Sequence, residues 1–217
     1  MVHLILLMKA NLIENLISTI SDLAIAFSAI VASRAAWLGL RSWRKDKTWE
    51  THHDLANKIL IKLFIYRDSL AGVRDPAFKD YDLPVPPNYA EMSREQISYF
   101  GESEAYKNRW EKVGKVRSEM YADLISAEVF WGNELRSMFK EKLYSLESEL
   151  LIYIRTHLKA TNPDEEEDFR KSYSRILRKR REIIYDDKYY DDGEDEFSSD
   201  VSAAIAEIEN YIRARIV

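Results

Sequence analysis

The 217-residue chain has no cysteine. Disulfides, thiolate nucleophiles, cysteine-bound zinc and iron–sulfur clusters are therefore excluded. Glycine (6) and proline (5) are also scarce, and so little punctuation suits long helices better than the many tight turns of an α/β enzyme. Four histidines leave few ways to hold a metal. His52 and His53 are the only adjacent pair, and neighbours on a helix point about 100° apart, so they do not grip one ion from one face. Glu50 and His53 share the spacing of a di-iron carboxylate motif, but that site needs a second Glu-x-x-His, and none occurs. There is no glycine-rich phosphate loop, nucleophile elbow or acid–base pair at a defined spacing. The expectation is a non-enzyme with no catalytic residue, no metal and no cofactor.

What the chain does have is charge, unevenly placed. The net charge is −5. Residues 1–49 carry Lys9, Arg34, Arg41, Arg44, Lys45 and Lys47 against Glu14, Asp22 and Asp46, for +3, which leaves −8 for the rest. An acidic body is a poor partner for nucleic acid, whose phosphates need an extended basic surface. The basic collar Arg41, Arg44, Lys45 and Lys47 instead follows the longest apolar stretch and fits a membrane surface.

That stretch, residues 23–40, is 18 residues long, about 27 Å as a helix against roughly 30 Å for a bilayer core. Its seven Leu, Ile, Phe and Val residues favour insertion by roughly 3 kcal/mol in total, whereas an arginine at the centre costs about 2.5–3.5 kcal/mol. Arg34 is off-centre, about 9 Å from Leu40, so its side chain is expected to snorkel toward the collar. Trp37 and Trp43 lie where interfacial aromatics belong, and only Lys9 is basic on the other side. This asymmetry predicts an N-terminus outside the cytoplasm and everything after Arg41 within it. Projection at 100° per residue gathers Ala24, Ser28, Ala32, Ala35, Ala36 and Gly39 on one face. Such small-residue stripes let membrane helices approach closely, so a homo-oligomer is expected, with Arg34 about 120° from the stripe and facing lipid. A buried helix of a soluble protein and a signal peptide cleaved near Val31 and Ser33 are the alternatives. Glu14 and Asp22 spoil the basic start that the second requires.

Beyond the collar, Leu55, Ala56, Ile59, Leu60, Leu63, Phe64 and Leu70 recur at spacings of three and four and predict an amphipathic stalk helix ended by Gly72 and Pro76. Residues 74–93 hold four of the five prolines and read as a loop. Ser93 and Gln96 form a capping-box pattern that opens the next helix. From Glu104 to Lys159 a heptad-like seam of Val113, Val116, Met120, Leu124, Ala127, Trp131, Leu135, Met138, Leu146, Leu150 and Tyr153 predicts one long helix, interrupted only by Gly114 and Gly132. Asn162 as N-cap and Pro163 at the first position predict a further helix, closed by the cations Arg178, Lys179, Arg180 and Arg181. Those cations either complete the helix end, pair with the acidic loop, or touch a membrane surface. In that loop, residues 186–200, aligning Gly193 with the EF-hand glycine puts Lys188 and Ser199 where acidic ligands belong, so the calcium motif is absent. Ser199 or Asp200 is expected to cap a last helix carrying Val201, Ala204, Ile205, Ile208, Tyr211 or Ile212, and Ile216.

Over residues 20–78 the chain resembles a group of uncharacterised bacterial membrane proteins, in which a short N-terminal span ends in tryptophan and basic residues and a second helical stretch carries Tyr-Arg-Asp and then Arg-x-Pro. The matching residues are Trp43, Ala56, Leu60, Tyr66, Arg67, Asp68, Arg74 and Pro76. The resemblance implies an anchored cytoplasmic helical domain and carries over no established activity. Arg67, Asp68 and Arg74, with Tyr66, form a helix-end polar cluster expected to fix the proline loop.

The reading is thus all-α: an N-terminal segment (1–22), a transmembrane helix (23–43) continuing into a stalk (44–73), a proline-rich loop (74–93), and the remainder (94–217) of an elongated cytoplasmic three- to four-helix bundle with a long heptad-like helix. A single-pass protein of the bacterial inner membrane, scaffolding an unknown protein partner, is the expected function. A membrane-perturbing effector of stress or antiviral defence and a soluble all-α regulator are the alternatives.

Overall fold

The structure is a computed structural model that describes residues 2–77, 83–185 and 195–216, with side chains from Thr19 onward. All regular structure among the described residues is helical. In chain order the helices are α1 (Val2–Arg74), a 3-10 turn (Tyr89–Glu91), α2 (Arg94–Trp131), α3 (Glu134–Met138), a π-helical turn (Phe139–Leu143), α4 (Tyr144–Thr161), α5 (Glu167–Leu177) and α6 (Glu196–Arg213). The chain divides into two units, residues 1–51 and residues 52–217.

In the first unit every described side chain up to Glu50 is exposed. Local bonds stay within the helix: the Ser28 and Thr48 hydroxyls donate to the carbonyls of Ala24 and Arg44 four residues back.

The second unit is built on the spacing that the stalk predicts. Leu55, Ala56, Ile59, Leu60, Leu63, Tyr66, Leu70 and Val73 are all buried, one stripe of a helix whose polar positions face water. Phe64 is only half-buried, packed at the margin. The helix runs past Gly72 to Arg74.

The long helix expected over residues 104–159 is instead a hairpin. Gly132 adopts φ 79°, ψ −176°, a conformation open essentially only to glycine, and its N–H closes α2 on the Glu128 carbonyl. The chain then folds back, and polar pairs mark the antiparallel register: Glu128 with Arg136, Arg117 with Glu147, Glu102 with His157, and Gln96 with Asp164. Gly114 does not interrupt α2. A helical glycine only loses some stability there, whereas a left-handed one redirects the chain.

The returning arm explains its own π turn. Leu135, Phe139, Leu143 and Glu147 are buried at successive spacings of four, which in a regular α-helix drift by about 40° per step. The wider π turn over Phe139–Leu143 takes up that drift and keeps all four inward.

Two helix starts differ from expectation. Asn162 does not cap α5; its Oδ1 accepts the Asp164 N–H in a turn, and the helix begins at Glu167. The last helix is capped by Asp195, whose carboxylate accepts the N–H groups of Phe197 and Ser198, rather than by Ser199 or Asp200. Val201, Ala204, Ile205, Ile208 and Ile212 are buried as the spacing predicts. The Ser93–Gln96 capping box is present, with both reciprocal bonds made.

Candidate functional site

Two features stand out, and each is built by a different rule. The first is the apolar surface of α1. Ile20, Leu23, Ile25, Phe27, Ile30, Val31, Trp37, Leu38 and Leu40 are all exposed, and no part of the most apolar 18-residue window is buried by the rest of the chain. Among the described residues one helix is thus long and apolar enough to cross a membrane. Ala24, Ser28, Ala32, Ala35, Ala36 and Gly39 lie exposed along it, and a Cβ on Gly39 would meet nothing within 4 Å. At its end the Arg41 guanidinium lies 5.7 Å from the Trp37 ring centre, a cation–π contact, and Lys47 pairs with Glu50 at 2.7 Å. Arg34, Trp43, Arg44 and Lys45 are exposed.

The second feature is a set of buried polar hubs in residues 52–216. Arg74 is 2% exposed. Its guanidinium donates to the carbonyls of Ile183 and Tyr185 and to the Ser198 hydroxyl, pairs with Asp195, and lies over the Phe197 ring. Burial raises the Asp195 carboxyl, but the Ser198 hydrogen bond and the Arg74 charge outweigh it and hold the group below the usual carboxylate range. Arg181 completes this end, bridging Glu149 and Asp200. Those hydrogen bonds raise its already high value.

A separate hub joins α1 to α4. The Tyr66 hydroxyl donates to Glu147 Oε2 at 2.5 Å, and Arg117 Nη1 donates to the other oxygen at 2.5 Å. Glu147 is 2% exposed. Burial, followed by the Glu147 charge, pushes the Tyr66 hydroxyl far up, so it stays a neutral donor. Tyr144, beside it, has a buried hydroxyl without a partner among the described residues, and burial with the Glu147 charge pushes it up to about 12.

The four residues expected to act together at the helix end therefore part company. Arg67, Asp68 and Arg74 line one hollow of about 210 Å³ against Phe197 and Ser198, while Tyr66 turns to Glu147. Arg67 pairs with its neighbour Asp68 on the exposed side. None of the bonds of Tyr66, Arg67 and Asp68 among the described residues reaches the proline loop. Arg109 of α2 fixes it instead, donating to the carbonyls of Asp75 and Ala77. Arg109 and Glu147 were legible only as charges in apolar register: Arg109 falls four before Val113, and Glu147 three before Leu150. Their burial needs the fold.

Glu50 is taken up by Lys47, and His53 lies 3.1 Å from the Asn57 amide. His52 accepts from the Trp131 indole at 3.3 Å and lies tilted against the Phe130 ring, with centroids 5.1 Å apart. Among the described residues no three His, Asp or Glu side chains converge as metal donors. The acidic residues 186–194, with Lys188 and Gly193, lie outside the described residues. No protein family, curated protein or solved structure matches the chain.

Proposed function

We propose that the chain is a single-pass protein of the bacterial inner membrane, with its N-terminus outside, whose cytoplasmic helical bundle serves as an interaction scaffold assembled through the membrane helix. The observation that carries this is the apolar surface of residues 19–43, exposed on every side. Leaving one Leu, Ile or Phe side chain in water instead of an apolar medium costs about 1.5–3 kcal/mol, and Leu23, Ile25, Phe27 and Ile30 are each about two-thirds exposed. A bilayer removes that cost in one step, and the Trp37, Arg41, Trp43, Arg44, Lys45 border suits its interface. The small stripe supports close helix pairing within it. The Arg74 and Glu147 hubs elsewhere act as structural ties between helices, which favours an interaction module over an enzyme.

The absence of cysteine makes the topology easy to test, because single cysteines enter a silent background. Asn11→Cys is expected to react with an impermeant maleimide in intact cells, and Glu95→Cys only after permeabilisation. The opposite pattern, or release of the protein by alkaline carbonate, rejects the reading. Ser28→Leu with Ala32→Leu is expected to abolish crosslinked oligomers in membranes. Growth arrest on expression that depends on Arg34 would replace the scaffold with a membrane-perturbing effector.

A further inference from the structure

The membrane reading leaves one face of α5 unused. Glu167, Arg170, Lys171, Ser174, Arg175 and Arg178 are spaced at i, i+3, i+4, i+7, i+8 and i+11, a single helical stripe, and together line a cleft of about 490 Å³. That volume is in the range of small-ligand sites. Four cations there meet one carboxylate, and Glu167 is already paired with Lys171 at 2.7 Å. The guanidiniums of Arg170, Arg175 and Arg178 have no side-chain partner among the described residues. Arg170 Nε is moreover shut off from solvent without a hydrogen bond among the described residues, a state that buried donors rarely keep.

Helix-end electrostatics accounts for only part of this. Arg175 and Arg178 stand near the C-terminus of α5, where the dipole favours cations. Arg170 stands three residues after the start of α5, away from the C-terminal end where the dipole favours a cation. Lys171 and Arg175, and Arg175 and Arg178, are also like charges at spacings that repel. A bound polyanion would reverse each of these penalties, and guanidinium forks match phosphate oxygens. We propose that this cleft binds a phosphate-bearing anion, either a phospholipid headgroup or a soluble phosphorylated molecule, with Arg170, Arg175 and Arg178 donating hydrogen bonds and Lys171 adding charge.

The test uses the full chain in dodecyl maltoside micelles at constant ionic strength. One arm titrates pyrophosphate by calorimetry. The other compares thermal stabilisation by micelles doped with phosphatidic acid or with phosphatidylcholine. Saturable binding is expected in at least one arm; pyrophosphate alone identifies a soluble ligand, and phosphatidic acid alone a headgroup. Arg170→Gln, and separately Arg175→Gln with Arg178→Gln, should weaken it at least about tenfold, while Lys112→Gln with Lys115→Gln on α2 should not. If Arg170→Gln lowers the melting temperature of the free protein, the double variant decides, because both of its side chains are exposed. Absence of binding in both arms, or unchanged binding by the double variant, overturns the proposal.

Discussion

Leu23 and Leu63 are the same side chain on the same kind of helix, yet Leu23 is 65% exposed and Leu63 is 0% exposed. The difference lies in their neighbours along the chain. Around Leu63 the stripe of Ile59, Leu60, Tyr66 and Leu70 is buried, while Lys58, Ile61, Ile65 and Arg67 on the other sides are exposed, so one-sided packing covers one stripe and leaves the rest in water. Around Leu23 uncharged apolar residues take every side of the axis, with Phe27 and Ile30 beside it, Ile25 opposite, and Ala24, Ala26 and Ala29 between. No one-sided packing covers such a surface; it takes an apolar medium or partners on several sides. Charge obeys the same division. Arg34 is exposed on the apolar helix, whereas Arg74 is enclosed, with its guanidinium nitrogens directed at acceptors.

The largest test of this contrast removes a charge from each region. Arg74→Met strands the buried Asp195 carboxylate and is expected to destabilise residues 52–217 by about 3–5 kcal/mol, read as a shift in urea unfolding of the full chain in detergent. Arg34→Met should leave that unfolding curve where it is. Next comes the leucine pair: Leu63→Ala opens a core cavity and costs about 2–5 kcal/mol, whereas Leu23→Ala should stay within about 0.5 kcal/mol by the same measurement. Equal losses in the two variants would contradict the division of the chain.

Glycines sharpen the contrast inside the packed region. Gly132→Ala forces a side chain into a glycine-only conformation and is expected to cost about 1–3 kcal/mol. Gly114→Ala meets nothing within 4 Å in the middle of α2 and should stabilise by about 0.5–1 kcal/mol. Calorimetric melting of the two variants should move in opposite directions.

The smallest expected effect is in acid. Asp195 has a lowered folded value, so its contribution is complete above the ordinary carboxylate value of about 3.9 and is lost as pH falls through the lower folded one. Between those limits the wild type should lose stability on acidification more steeply than Asp195→Asn. Parallel urea midpoints across that window would show that the Arg74 pair does not couple to folding.

Local pattern was enough for several elements. The Ser93–Gln96 cap involves residues three apart, and the stalk stripe from Leu55 to Leu70 repeats every turn, so both are legible without the fold. The hairpin was not. Gly114 and Gly132 are the same letter in the same seam, and only the backbone conformation of Gly132 distinguishes a tolerated glycine from a turn. The partners of the polar cluster were hidden for a related reason: Tyr66, Arg67, Asp68 and Arg74 are close in sequence, but Glu147, Ile183, Tyr185 and Ser198 lie 81 or more residues away.

By itself, then, the sequence determined what depends on composition and on spacing within a few turns: helices throughout, an apolar helix with a small-residue stripe and a basic border, and which face of the stalk is apolar. The tertiary structure decided where the chain reverses, which charges are enclosed and whom they bind. Helical periodicity is a short-range property of neighbouring residues, whereas burial and hydrogen-bond pairing depend on which distant segments arrive on the same face.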